Sequence, residues 1–141
     1  MIPHVRDAIQ ALSQKILTQV LPQVGSNYVM SDTAMMGMLL SALAQEAESG
    51  VSRRLTDMMG MAEIFGAAEA LGFTVPHAEL NLSGMSPAGF EMHEVNRLHD
   101  QMTLALIELH GQIEQDANHE DLNEQIWRYL SAMHDRHALA I

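Results

Sequence analysis

At 141 residues, with 48% hydrophobic side chains but only three Phe, two Tyr and one Trp, the chain has the length of one domain whose core is packed through Ala, Leu and Met. Lys and Arg number 7 against 18 Asp and Glu, and the resulting net charge of -11 opposes binding to phosphate backbones and to anionic lipid, so neither nucleic acid nor membrane is an expected partner. The absence of cysteine excludes disulfides, thiolate metal sites and cysteine nucleophiles. The first residues, Met1 to Asp7, lack a charged segment followed by an apolar run, and no stretch approaches about 18 consecutive apolar residues, which makes a soluble cytoplasmic protein the expectation.

Pro3 suits a first helical position, and Val5, Ile9, Leu12, Ile16 and Val20 recur at helical spacing until Leu21-Pro22, which predicts a first helix over 3–21. Residues 23–30, with Gly25-Ser26-Asn27, have the composition of a connecting loop, and Ser31 or Asp32 can cap the helix that follows. From Ser31 to Leu71 the pattern is helical almost throughout. Ser49-Gly50 reads as a stop, and the stripe Met35, Leu39, Leu43 lies on a different side from Leu55, Met58, Ala62 in a continuous helix, which predicts a break or sharp bend. Against the break, Glu46 and Glu48 would then end one helix while Arg53 and Arg54 began the next, the reverse of what the two dipoles favour.

This segment carries a weak internal repeat. Thr33, Met35, Met36, Gly37, Met38, Ala44, Glu46 and Ala47 recur as Thr56, Met58, Met59, Gly60, Met61, Ala67, Glu69 and Ala70, at a constant offset of 23 residues. The twin Met-Met-Gly-Met runs suit core filling by adaptable methionines, with Gly37 and Gly60 letting neighbouring helices approach closely. Residues 72–84 are expected to form a long connection, pinned by Phe73, Val75 and Leu80.

Two amphipathic helices close the chain. Ser86-Pro87 is a helix start, after which Val95, Leu98, Met102, Ala105, Leu106, Leu109 and Ile113 fall in a sector of about 100°. Asn118 offers a cap for a last helix with Glu120 and Asp121 in its first turn, the stripe Leu122, Ile126, Tyr129, Leu130, Met133, and Arg136 and His137 in its last turn before an end near Ala138. So short a link predicts an antiparallel hairpin in which facing residues have numbers summing to about 235. Glu114 and Asp116 near a helix C-terminus oppose that hairpin.

The hairpin brings His99 level with His134 and His137, each displaced to the same side of its stripe. Three imidazoles so placed form a candidate zinc or iron site, while the plain alternative has His134 and His137 as helix-end cations and His99 as a boundary residue of the core. No Glu-x-x-His occurs, which disfavours a di-iron carboxylate bundle, and no phosphate loop or Gly-x-Ser-x-Gly elbow supports enzyme activity. Leu104, Ile107, Met61 and Ile64 face away from their stripes and imply a second buried surface.

The expected fold is therefore all-α: a single domain over 1–141, a compact bundle of four or five mainly antiparallel helices with a C-terminal helical hairpin. The expected function is non-catalytic, acting through protein association as a homodimer with no cofactor. A metal protein using His99, His134 and His137, and a bundle whose Met-rich interior admits an apolar small ligand, are the alternatives.

Overall fold

The computed structural model describes residues 4–76, 89–116 and 118–140, and all regular structure among them is helical. Helix α1 spans Val5–Lys15 and runs on through a wider π turn, Ile16–Val20, and a 3-10 turn, Leu21–Gln23; α2 spans Asn27–Ala70, α3 Met92–Glu114 and α4 Glu120–His137. The fold is an all-α bundle. It divides into two structural units, residues 1–50 with 139–141, and residues 51–138, and α2 contributes to both.

The N-terminal unit is a helical hairpin. The first helix outlasts the predicted end at Leu21 because the chain widens before it stops: the Leu21 N–H reaches back to the Ile16 carbonyl, and Pro22 then falls in the tight turn, where its missing N–H costs little. Only Val24 to Ser26 separate this turn from α2, so the loop expected over 23–30 is shorter than its composition suggests. The Ser26 carbonyl accepts the Met30 N–H at 2.8 Å, so α2 begins at Asn27, more than a turn ahead of the expected Ser31 or Asp32 cap. The two helices run antiparallel, as Arg6 meets Glu48 (3.8 Å) and Ser13 donates from Oγ to the Gly37 carbonyl (2.8 Å). A Cβ on Gly37 would lie 2.5 Å from Leu17, so glycine sets the close approach here as expected.

Helix α2 runs through Ser49-Gly50 without interruption, which corrects the break among the two predicted alternatives, a break or a sharp bend. Gly50 does not adopt a left-handed conformation, and Ser49 Oγ bonds the Gln45 carbonyl one turn back (3.0 Å), so neither residue offers the backbone an exit. The glycine instead makes room for a side chain, since a Cβ there would lie 2.6 Å from the Glu46 carboxyl carbon. With the helix continuous, Glu46, Glu48, Arg53 and Arg54 sit away from any terminus and the dipole objection to them vanishes. The true stop is Gly72, at φ 89°: its N–H bonds the Glu69 carbonyl and the Phe73 N–H bonds the Ala68 carbonyl, both at 3.0 Å, the paired bonds of a left-handed C-terminal cap.

The C-terminal unit holds the core. All seven residues of the predicted α3 stripe, Val95 to Ile113, are buried, together with Leu122 and Ile126 of α4, while Tyr129 and Leu130 pack on the edge. The third side comes from α2 through Met58, Met61, Ile64, Phe65 and Ala68. Met61 and Ile64, which face away from the predicted stripe, are buried as the implied second surface requires, whereas Leu104 and Ile107 are exposed. A Cβ on Gly60 would lie 2.8 Å from the Tyr129 ring, so this glycine too sets a close helix approach. Helices α3 and α4 are antiparallel in the expected register, with His110 bonded to Asn123 (2.9 Å) at one end and His99 beside His137 at the other.

The helix boundaries differ in detail. The expected start at Ser86-Pro87 and Leu80 lie outside the described residues; Gly89-Phe90 form a bend, Glu91 is extended, and α3 begins at Met92. The N-cap position of α4 is His119 and not Asn118, because Asn118 turns back and donates from both its backbone N–H and Nδ2 to Asp116 Oδ1. Those two bonds explain an acid just past the α3 C-terminus: the backbone N–H first, then the amide, hold the Asp116 carboxyl below its ordinary range.

Candidate functional site

Among the described residues, the one acidic or basic side chain buried in the C-terminal core is Asp57, on the same face of α2 as Met61 and Ile64. A carboxylate there needs donors, and both its oxygens have them. Oδ1 accepts from Arg136 Nε and from its terminal nitrogen, each at 2.8 Å, and Oδ2 accepts from His137 Nε2 at 2.5 Å and from His99 Nε2 at 3.3 Å. One side chain of α2 thereby ties the middle of α3 to the last turn of α4. Each imidazole donates from Nε2, which fixes both as the Nε2–H tautomer when neutral and leaves Nδ1 as an acceptor.

Beside this node lies an open cleft of about 560 Å3, walled by Arg54, Asn96, His99, His134 and His137, with Met133 among its apolar residues. Asn96 Oδ1 is buried there without a hydrogen-bond partner. At the other end of the α4 face, Tyr129 donates to Met133 Sδ (3.7 Å); burial pushes its phenol far above the ordinary range, the Asp57 charge adds to that, and Arg136 works against it.

The three histidines predicted as metal ligands are brought together as two and one. His99 and His137 meet at Asp57 with ring centroids 6.5 Å apart, and His134 lines the same cleft without sharing that contact. Among the described residues no group of three His, Asp or Glu is placed to hold a metal ion. Asp57 and Arg136 were not singled out from the sequence as site residues. The signal that exposes them is the spacing Asp57, Met61, Ile64, Ala68: once that stripe is taken as buried, a carboxylate on it demands a cation from another helix.

The Met-rich interior leaves a cavity of about 70 Å3 lined by Met61, Leu106, Tyr129 and Leu130, against the roughly 300 Å3 or more of a small-ligand pocket. No helix among the described residues is long and apolar enough to cross a membrane.

The N-terminal unit differs in kind. Its only buried residues among those described are Ser13, Gly37, Ala44 and Gly50. Many of its large apolar side chains face outward: Leu12, Val20, Tyr28, Met35, Met38 and Leu39 are each between 44% and 78% exposed. One stretch of α2, lined by Ser31, Ala34, Met35, Met38, Leu39 and Ala42 with Leu139 at its edge, forms an open apolar groove of about 410 Å3. The chain end is tied beside it, as Gln45 donates from Nε2 to the Ala140 carbonyl (2.9 Å) and accepts the Ala140 N–H at Oε1 (3.0 Å). Comparison of the chain with protein-family models, with curated proteins and with solved structures gives no match.

Proposed function

We propose that this is a non-catalytic association protein that works as a homodimer, with the N-terminal unit carrying the contact between copies. The observation that carries the proposal is that this unit buries no large apolar side chain among the described residues. A two-helix hairpin covers one stripe of each helix and leaves the rest to water, so stable versions add a further layer. Two such hairpins packed together make a four-helix bundle. Eleven large apolar side chains on residues 5–43 are each at least 40% exposed, and a stable interface takes about 800 Å2 from each partner.

Charge selects a second copy as the partner. Each chain carries -11, so two copies repel wherever acidic surface meets acidic surface. From Ile16 to Gln45 the only charged residue is Asp32, which makes this stretch the place where two such chains approach at least electrostatic cost. The lack of charge also gives a strongly acidic or basic partner nothing to pair with. Light scattering coupled to size exclusion, run over a range of protein concentrations, tests the proposal. A species of twice 15.6 kDa is expected, and a monomer at tens of micromolar refutes it.

A further inference from the structure

The internal repeat indicates which surface makes the contact. Displaced by its 23-residue offset, the groove residues Met35, Met38, Leu39 and Ala42 fall on Met58, Met61, Ala62 and Phe65, and Tyr28 beside them falls on Val51. In the second copy of the repeat this face is the wall of the core that α3 and α4 cover, and Met58 and Met61 are 5% and 0% exposed. In the first copy the same face is open, and Met35 and Met38 are 57% and 44% exposed. At 100° per residue Tyr28, Met35, Met38, Leu39 and Ala42 share a sector of about 100°, the width of a stripe that packs on other helices.

The equivalence extends to the back of the helix. Gly37 and Gly60 are repeat partners, and each accommodates a side chain of another helix, Leu17 in one case and Tyr129 in the other. The two copies of the repeat therefore match in both the glycine contact and the apolar face, and differ in whether that face has a cover.

Building on the homodimer proposed above, we infer that the Tyr28, Met35, Met38, Leu39 and Ala42 face of α2 is the dimer contact, and that its occupant is the same face of a second copy. A two-fold axis sets a self-complementary patch against itself, and a patch free of charge meets its own copy with no like-charge opposition. The methionines suit such a contact because their flexible thioethers fill the gaps between two identical surfaces.

The test compares Leu39→Asp with Met59→Asp, which places the same charge on an exposed residue of the C-terminal unit. Oligomeric state is read by light scattering and helix content by circular dichroism. Leu39→Asp is expected to weaken the dimer at least a hundredfold while keeping its helicity, and Met59→Asp to leave the dimer unchanged. Because the chain has no cysteine, Leu39→Cys and Met59→Cys give a second readout that does not require a destabilising charge. A short bis-maleimide should link copies through position 39 and not through 59. A wild-type monomer refutes the dimer itself. A dimer that survives Leu39→Asp, or that links through 59 and not 39, leaves the dimer standing and overturns the assignment of this face.

Discussion

Replacing Asp57 by asparagine keeps the shape of the side chain, removes its charge and turns one of its two acceptors into a donor that faces other donors. Oδ1 holds two Arg136 bonds and Oδ2 holds His99 and His137, so whichever half becomes the amide nitrogen, two contacts are lost and the remaining two lose their charge assistance. Breaking a buried ion pair by removing one partner costs about 3–5 kcal/mol when the other partner stays desolvated. Here the Arg136 and His137 side chains are 28% and 32% exposed and regain some water, which brings the expected loss to about 3 kcal/mol. Urea unfolding followed by circular dichroism, at one protein concentration for all variants, measures it. Arg136→Met and the double variant complete a cycle, in which a coupling of about 1.5 kcal/mol or more is expected, since each substitution alone strands the other group. A loss below about 1 kcal/mol in Asp57→Asn, or strict additivity with Arg136→Met, would refute the view that this carboxylate joins the three helices.

Three further outcomes follow from local geometry. Gly60→Ala places a methyl 2.8 Å from the Tyr129 ring, and the overpacking cost of about 1–3 kcal/mol exceeds the gain of about 1 kcal/mol from a better helix former, whereas Gly66→Ala meets nothing within 4 Å and should stabilise by about 1 kcal/mol; thermal melts that rank the two the other way contradict this. The Asp116 carboxyl should titrate below 3.8, so its contribution to stability is complete above that pH and fades as the pH falls through its lowered folded value; a midpoint at or above 3.8 in an NMR titration contradicts the Asn118 contacts. Dialysis against a chelator should leave the melting temperature unchanged, because the Nε2 atoms of His99 and His137 are engaged by Asp57 Oδ2, and a drop of several degrees reversed by zinc would instead support a site completed by His134.

The C-terminal hairpin was readable because its periodicity is unambiguous. Seven apolar residues fall on one stripe of α3, all seven are buried, and the register near 235 is met by His110 with Asn123 and by His99 with His137. The helix around Ser49-Gly50 was misread because composition outweighed electrostatics: the glycine suggested a stop, while the acids before it and the arginines after it were already placed for a continuous helix. Leu55, Met58 and Ala62 served as its stripe with Met61 and Ile64 facing away from it, whereas the buried face is wide enough to hold both sets and also carries Asp57. The histidines were found by their spacing on α3 and α4, but the group that organises them comes from α2, whose buried face is wider than the predicted stripe. Asn118 failed as a cap for a different reason, since its two donors found Asp116 two residues back, a competition that helix periodicity does not register.

The position of Asp57 within the repeat bears on why, among the described residues, one copy has a cover and the other does not. Its counterpart at the 23-residue offset is Ala34, in the wall of the open groove. A carboxylate at position 57 tolerates burial only beneath a cover that supplies donors in one geometry, which α3 and α4 do through His99, His137 and Arg136. An alanine at position 34 demands nothing of the kind and accepts any apolar surface of the right shape. On the proposed dimer, the charged copy of the repeat is matched to one permanent intramolecular cover, and the uncharged copy to a cover that can leave without stranding a charge. Ala34→Asp would then insert an unpaired carboxylate beside the contact and break it, whereas Asp57→Asn would weaken the core and leave the dimer face intact. If Ala34→Asp dimerised as well as the wild type, the two faces would not be equivalent in the way the repeat implies.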